Sequence, residues 1–222
     1  MTEISVLCYH GIEAVSAKKD LYTLAPKVFE KHLRFLKENG FKSIPLKHFK
    51  KPGRKPIIIS FDDGYENAYS KAAPLLEKHD FRGVFFVNPA NIKSKPGKFM
   101  SWTQLKDIEE RGHEVQSHSL NHVHLTKCKK SELIFELKGS KEILERKLGK
   151  KIKYLAYPFG SYNKTVEKCA LSLGYKGLFT VDPGLNDSRD RLNNIRRFIL
   201  TRQDSYDRFS DIANLIRILE EN

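Results

Sequence analysis

The chain has 222 residues, 40% of them hydrophobic and 30% charged, with a formal net charge of +13. That length supports one sizeable core, read as a single domain over residues 1–222. Three cysteines, Cys8, Cys128 and Cys169, exclude a disulfide framework and a paired-thiol metal site, and no apolar run approaches the roughly 18 to 20 residues of a membrane span. The basic balance fits simple solubility or an anionic partner; the lysines are dispersed and Arg196-Arg197 is the only adjacent arginine pair. Sparse thiols and a start, Met1-Thr2-Glu3, without a basic-then-apolar leader point to a cytoplasmic setting.

Residues 4–9 read as a buried strand that delivers His10-Gly11 at its end. Pro26 opens a helix with Phe29, Leu33 and Leu36 on its apolar face, and Gly40 ends it. A short strand at 41–44 and a Pro/Gly connection at 50–55 lead to the strand Ile57-Ile58-Ile59-Ser60-Phe61, which ends in Asp62-Asp63-Gly64. A helix follows over 66–78, with Pro74 inside it as a kink or an early stop. Next come a strand at 83–87, a polar loop at 88–98, and a helix over 104–111 capped by Ser101 and stopped by Gly112. A strand at 114–117 feeds His118-Ser119-Leu120-Asn121-His122-Val123-His124. The longest helix spans 130–148, with Ser131 as its cap and Gly149 as its stop. A strand at 154–157 is closed by Pro158-Phe159-Gly160, and a helix over 164–173 ends at Gly174. Strands at 177–181 and 195–200 and a helix at 206–220 complete the chain. Strand–helix alternation of this kind argues for α/β architecture with a parallel sheet, as an open sheet or a barrel, and the seven or eight strand candidates are compatible with a distorted (β/α) barrel of about seven strands.

The chemistry-bearing residues share one position in this pattern. His10, Asp62-Asp63, His118 with His122, and Pro158-Phe159-Gly160 each follow directly on a strand, and the C-terminal ends of parallel strands gather at one face. His118 and His122, four apart, lie one turn apart if the segment is helical. With one carboxylate they make an Asp-His-His set with open positions for water and substrate, as suits catalytic zinc or another transition metal. A second acid can then take a proton from the activated water. Taken separately, Asp62-Asp63-Gly64 also fits an ordinary solvated turn, and the two histidines also fit a polar surface loop.

The phrase Ser60-Phe61-Asp62-Asp63-Gly64, with His118-Ser119-Leu120-Asn121-His122 some 50 residues on, resembles the first two motifs of the polysaccharide deacetylases, the NodB-type domain of carbohydrate esterase family four. Tyr157-Pro158-Phe159-Gly160 resembles the third, and the similarity runs from about residue 4 to residue 200. The resemblance implies a distorted barrel and metal-dependent removal of N- or O-acetyl groups from sugars. It implies Asp62 as general base and Asp63, His118 and His122 as metal ligands, with Ser119 bracing the histidine loop. The metal would be zinc, with cobalt or nickel as alternatives. The backbone N–H of Phe159, in place of the family's usual tyrosine, would help hold the oxyanion.

Two positions depart from the family pattern. Ala156 stands where many members carry an arginine near the catalytic acid, and no histidine follows His124 to protonate the leaving amine. Cys8-Tyr9-His10-Gly11 instead resembles the rearranged subgroup that includes poly-N-acetylglucosamine deacetylases, where a Tyr-His pair near the N-terminus serves as the acid. First and last strands of a barrel are neighbours, so His10 reaches the same space by another chain route. Arg197, on the last strand, would replace the missing arginine; a structural or solvated arginine is the other reading of it. Tyr9, Tyr65, Trp102, Tyr157 and Tyr162 are the aromatics that could stack on sugar rings.

The expected partner is an N-acetylated sugar or oligosaccharide, not nucleic acid, with peripheral contact to an anionic membrane where the substrate is a lipid-linked precursor. A metal hydrolase of a small non-sugar amide or imide on the same scaffold, and a non-catalytic glycan-binding or nucleic-acid-binding protein, are the alternatives.

Overall fold

The computed structural model describes residues 2–14, 21–94, 97–203, 209, 210 and 212. In chain order, β1 (Glu3–Tyr9) is followed by the short strands β2 (Gly11–Ile12) and β3 (Thr23–Leu24), then α1 (Pro26–Glu38), β4 (Lys42–Ser43) and β5 (Pro56–Phe61). A π-turn at Ala68–Ala72 runs into α2 (Ala73–Lys78), and then come β6 (Gly83–Val87), α3 (Pro89–Ser94), α4 (Trp102–Glu110) and β7 (Glu114–Ser117). The C-terminal half contributes α5 (Lys130–Leu148), β8 (Tyr154–Ala156), α6 (Lys164–Ser172), β9 (Gly177–Phe179), β10 (Asn186–Asp187) and β11 (Phe198–Ile199).

The main sheet has the order β10-β1-β5-β6-β7-β8-β9, parallel from β1 to β9, with β4 beside β5 and β11 beside β1. Ile195 bridges Phe179 of β9 while Phe198 and Ile199 pair with Leu7 and Cys8 of β1. The stretch 195–199 therefore joins the two edges of the curled sheet. This is the distorted barrel that the resemblance implies, and one of the two forms that the strand–helix alternation allows. Strand residues alternate between its faces. Ile4, Val6, Ile58, Phe86, Ala156 and Phe179 fill the inside, and Leu7, Tyr9, Ile59, Phe61 and Phe85 pack outward into the larger core under the helices.

Several local expectations are corrected. The polar loop at 88–98 contains α3. Ser131 is not the cap of α5, because the helix already begins at Lys130; the Glu132 carboxylate reaches back to accept the Lys129 N–H at 2.8 Å. Pro74 does not stop its helix. It lies in the first turn of α2, where its missing N–H is tolerated, and the preceding turn widens to π geometry. The last strand is broken: the Arg197 N–H turns to the Asp182 carbonyl at 3.0 Å, leaving one bridge at Ile195 and two paired residues. The helix expected at 206–220 lies outside the described residues apart from 209, 210 and 212.

Candidate active site

The acid pair sits where β5 ends. Asp62 still follows the sheet, its N–H donating to the Tyr9 carbonyl at 2.9 Å. Asp63 and Gly64 then turn with φ of 70° and 72°. At Gly64 a Cβ would lie 2.8 Å from Val87 Cγ1, so any other residue there would strain the turn against β6. This sends Asp62 inward and Asp63 across the barrel mouth.

The histidines arrive from the end of β7. His118 keeps the ladder, donating its N–H to the Val87 carbonyl at 2.9 Å. Beyond it the chain is not helical. Ser119 and His122 adopt φ of 62° and 56°, a left-handed conformation that costs an ordinary residue about 1–2 kcal/mol. The four-residue spacing therefore works through a strained loop and not through a helical turn. Ser119 Oγ accepts the His122 N–H at 3.1 Å, which is the bracing bond expected of Ser119.

These turns bring three donors together. His122 Nε2 lies 3.1 Å and His118 Nε2 3.6 Å from Asp63 Oδ1, and the candidate ligand atoms of Asp63, His118 and His122 all fall within 4.8 Å of one another. His118 Nδ1 is 2.8 Å from the Ala156 carbonyl, which accepts its proton and leaves Nε2 as a lone pair facing the acids. Burial lowers the His118 pKa more than Asp62 and Asp63 raise it, so the ring is held neutral, the form a metal needs. Burial would raise Asp63, but the His122 hydrogen bond and nearby histidines outweigh it and keep the carboxyl ionised. One carboxylate and two imidazoles fit a divalent first-row cation with open coordination positions. His124 stays out of this set; its ring is stacked under Phe159 at 4.1 Å.

Asp62 is held differently. Arg197, fully buried, forms a two-pronged pair with it, Nη1 to Oδ1 and Nη2 to Oδ2 both at 2.8 Å. The guanidinium also donates from Nε to the Thr180 carbonyl at 2.7 Å and lies over the rings of Phe86 and Phe179. Burial pushes the Asp62 pKa up, but Arg197, followed by His118, overrides it and holds the carboxyl well below the usual carboxylate range. Arg197 is thus a buried partner of Asp62 and not a solvated arginine.

His10 closes the group. Donor atoms of Cys8, His10 and Asp62 lie within 4.8 Å of one another, the His10 ring rests on Tyr22 at 4.8 Å, and its Nδ1 is buried without a hydrogen-bond partner. Tyr9 faces the other way. Its hydroxyl meets His32 Nδ1 at 3.1 Å and its ring packs on Phe29 and Phe61. Only the histidine of the expected Tyr-His pair reaches the site, because consecutive strand residues point to opposite faces.

Phe159 has φ of 58° and a largely exposed ring, edge-on to His122 at 4.4 Å, which sets its backbone at the site's rim. Of the other aromatics, Tyr9 and Tyr157 are fully buried and cannot stack on a sugar. Tyr157 carries Tyr162 on its face, while Trp102 packs toward α5 under Lys147. Tyr65 stacks on Phe99 and lines a cavity of about 220 Å³ with Gly11, Thr23, Glu66, Asn67 and Lys98, directly after His10 and Asp63 in the chain. A larger cavity, about 780 Å³, opens at the opposite end of the strands among Arg82, Glu114 and Lys153, away from the donor set.

Two residues escaped the sequence reading. Asn88 donates its side-chain amide to the His118 and Ser119 carbonyls. Glu136, buried on α5, accepts from the Leu120 and Asn121 N–H groups and from Asn121 Nδ2. Asn88 had a signal, since it too directly follows a strand. Glu136 had one in its place on the stripe Leu133, Leu137, Ser140.

The family described as polysaccharide deacetylase matches residues 49–178. The Bacillus subtilis protein YxkH is 29% identical over 196 residues, 85% of this chain and 68% of that one. The poly-β-1,6-N-acetyl-D-glucosamine N-deacetylase of Staphylococcus aureus is 29% identical over 184 residues, 72% of this chain but only 63% of that enzyme. Among solved structures, the Streptococcus pyogenes deacetylase PplD in complex with acetate superposes with a TM-score of 0.88 at 24% identity, over 96% of this chain and 98% of that one.

Proposed function

The chain belongs to the polysaccharide deacetylase family, and from that premise we propose that it is a metal-dependent hydrolase removing N-acetyl groups from an amino-sugar glycan or glycan precursor. The observation that carries this reading is the closure of Asp63, His118 and His122 to within 4.8 Å, with Asp62 clamped by Arg197 beside them. Those three residues would hold the cation, zinc in this proposal with cobalt or nickel as alternatives. When bound, such an ion supplies Lewis-acid polarisation of the amide carbonyl and acidifies water.

The protein's own groups supply the rest. Asp62, kept ionised by Arg197, takes a proton from the attacking water. The N–H of Phe159, whose ring lies edge-on to His122 at 4.4 Å, would help hold the developing oxyanion. His10, on the Asp62 side, gives a proton to the departing amine. Water and amide thereby become acetate and a free amine. The names of the staphylococcal relative and of other matched deacetylases support an N-acetylhexosamine substrate. The cavity lined by Tyr65 and Asn67 gives room for a neighbouring sugar unit.

Acetate release from a panel of N-acetylated oligosaccharides, with and without added zinc, cobalt or nickel, tests the reading. Release that appears on adding metal and vanishes with chelator is expected; none from any sugar with any of the three ions would overturn it. A lipid-linked precursor is part of the proposal and suits the +13 charge. Failure to float with anionic vesicles at low salt would remove that part.

A further inference from the structure

We infer that Glu136 is a positioning residue that sets the metal affinity of the histidine loop from outside the ligand set; this rests on the metal-hydrolase reading above. Glu136 is 5% exposed, and among the described residues its carboxylate is held by hydrogen bonds rather than by an ion pair. A buried acid without a cation is rare and needs other compensation. Among the described residues, every hydrogen-bond partner of its carboxylate comes from the segment between the two candidate ligands. Oε2 accepts the Leu120 N–H at 3.1 Å and the Asn121 N–H at 2.9 Å, and Oε1 accepts from Asn121 Nδ2 at 2.6 Å.

That segment is the one that has to be held. His118 is already fixed by β6 and by the Ala156 carbonyl, whereas His122 reaches Asp63 only after a left-handed residue at Ser119 and is itself left-handed. Two strained residues flank Leu120 and Asn121, and Glu136 grips both of those from α5. Asn88 grips the preceding carbonyls from the other side. With both anchors the His122 ring is delivered to Asp63 before any ion arrives. Without Glu136 the loop relaxes, and binding must first restore the strained turn. Partners outside the ligand set typically change metal affinity 10- to 100-fold.

The test uses the full chain and the variants Glu136→Ala, Glu136→Gln and Asn121→Ala. Zinc and cobalt dissociation constants are measured by competition with a chromophoric chelator, and thermal unfolding is recorded in chelator. Glu136→Ala should bind both ions 10- to 100-fold more weakly. Glu136→Gln, which keeps one carbonyl oxygen for the two backbone N–H groups, should recover most of the affinity. Asn121→Ala loses only the Oε1 contact and should weaken binding a few-fold; it carries the test if Glu136→Ala does not fold. Unchanged dissociation constants with lowered melting temperatures would make Glu136 a purely structural residue and overturn the inference. Wild-type protein that binds neither ion would remove the metal centre itself, and the inference with it.

Discussion

The pairing of Asp62 with Arg197 decides how the site responds to pH. Asp62 is 3% exposed, where burial alone would favour the neutral acid, yet two 2.8 Å hydrogen bonds from a guanidinium keep it charged. Its folded pKa lies below its unfolded value of about 3.9. The pair therefore stabilises the fold at neutral pH, and that contribution is lost only as pH falls below about 4. Arg197→Met removes the guanidinium and leaves a buried, uncompensated carboxylate, at a cost of about 3–5 kcal/mol at pH 7. In the variant burial prevails, the Asp62 pKa rises above the unfolded value, and acid becomes stabilising at this position. Urea unfolding should show the gap to wild type narrowing between pH 7 and pH 4.5; a gap independent of pH would mean that Arg197 does not control Asp62. The same variant should move the acid limb of kcat/KM upward. His10 offers a contrasting residue-scale outcome. His10→Ala should keep metal bound while kcat/KM falls about 10²- to 10⁴-fold, the usual contribution of a general acid. Asp63→Ala should lose the metal itself, as read by equilibrium dialysis.

At the scale of elements, the site is made by what happens in the two or three residues after each strand. Gly64 shows the tolerance. With φ of 72° and Val87 Cγ1 2.8 Å from its missing Cβ, Gly64→Ala should destabilise by about 1–3 kcal/mol, measured as a shift in the urea midpoint. Trimming the neighbour in Gly64→Ala/Val87→Ala should recover part of that, so the double-mutant cycle should show coupling; strict additivity would place the cost in φ alone. Such turns also explain what the sequence disclosed. The buried strand at 57–61, the Ser101 cap and the glycine stop at Gly149 follow from local patterning, and the structure has all three. Asp63, His118 and His122 could be grouped because each follows a strand end and the motifs they belong to are specific. How the histidines meet was not legible, since left-handed Ser119 and His122 are non-glycine exceptions with no marker in composition. Nor was the opposite facing of Tyr9 and His10 drawn, although strand alternation at 3–9 requires it. The two-residue strands β2, β3 and β10 have too few residues to carry any period.

Over the whole molecule, the last stretch of the barrel serves packing and chemistry at once. Residues 195–199 tie β9 to β1, and the same stretch carries Arg197 to Asp62, so closing the sheet and charging the candidate base are one event. The candidate metal centre makes a second long-range tie, because Asp63 comes from the end of β5 and both histidines from the end of β7, with β6 between them. An ion held there binds only the folded chain, so it stabilises by RT ln(1 + [L]/Kd), about 2.7 kcal/mol when free zinc is 100 times Kd. For a chain of this size that corresponds to a melting temperature about 5–10 °C higher with zinc than with chelator. Asp63→Ala should lose the rise, since it removes a ligand. His10→Ala should keep it, since His10 sits with Cys8 and Asp62 outside the triad. Differential scanning fluorimetry of the three proteins, each with zinc and with chelator, separates the cases. A zinc-dependent rise of equal size in Asp63→Ala would put the ion somewhere other than between these strand ends.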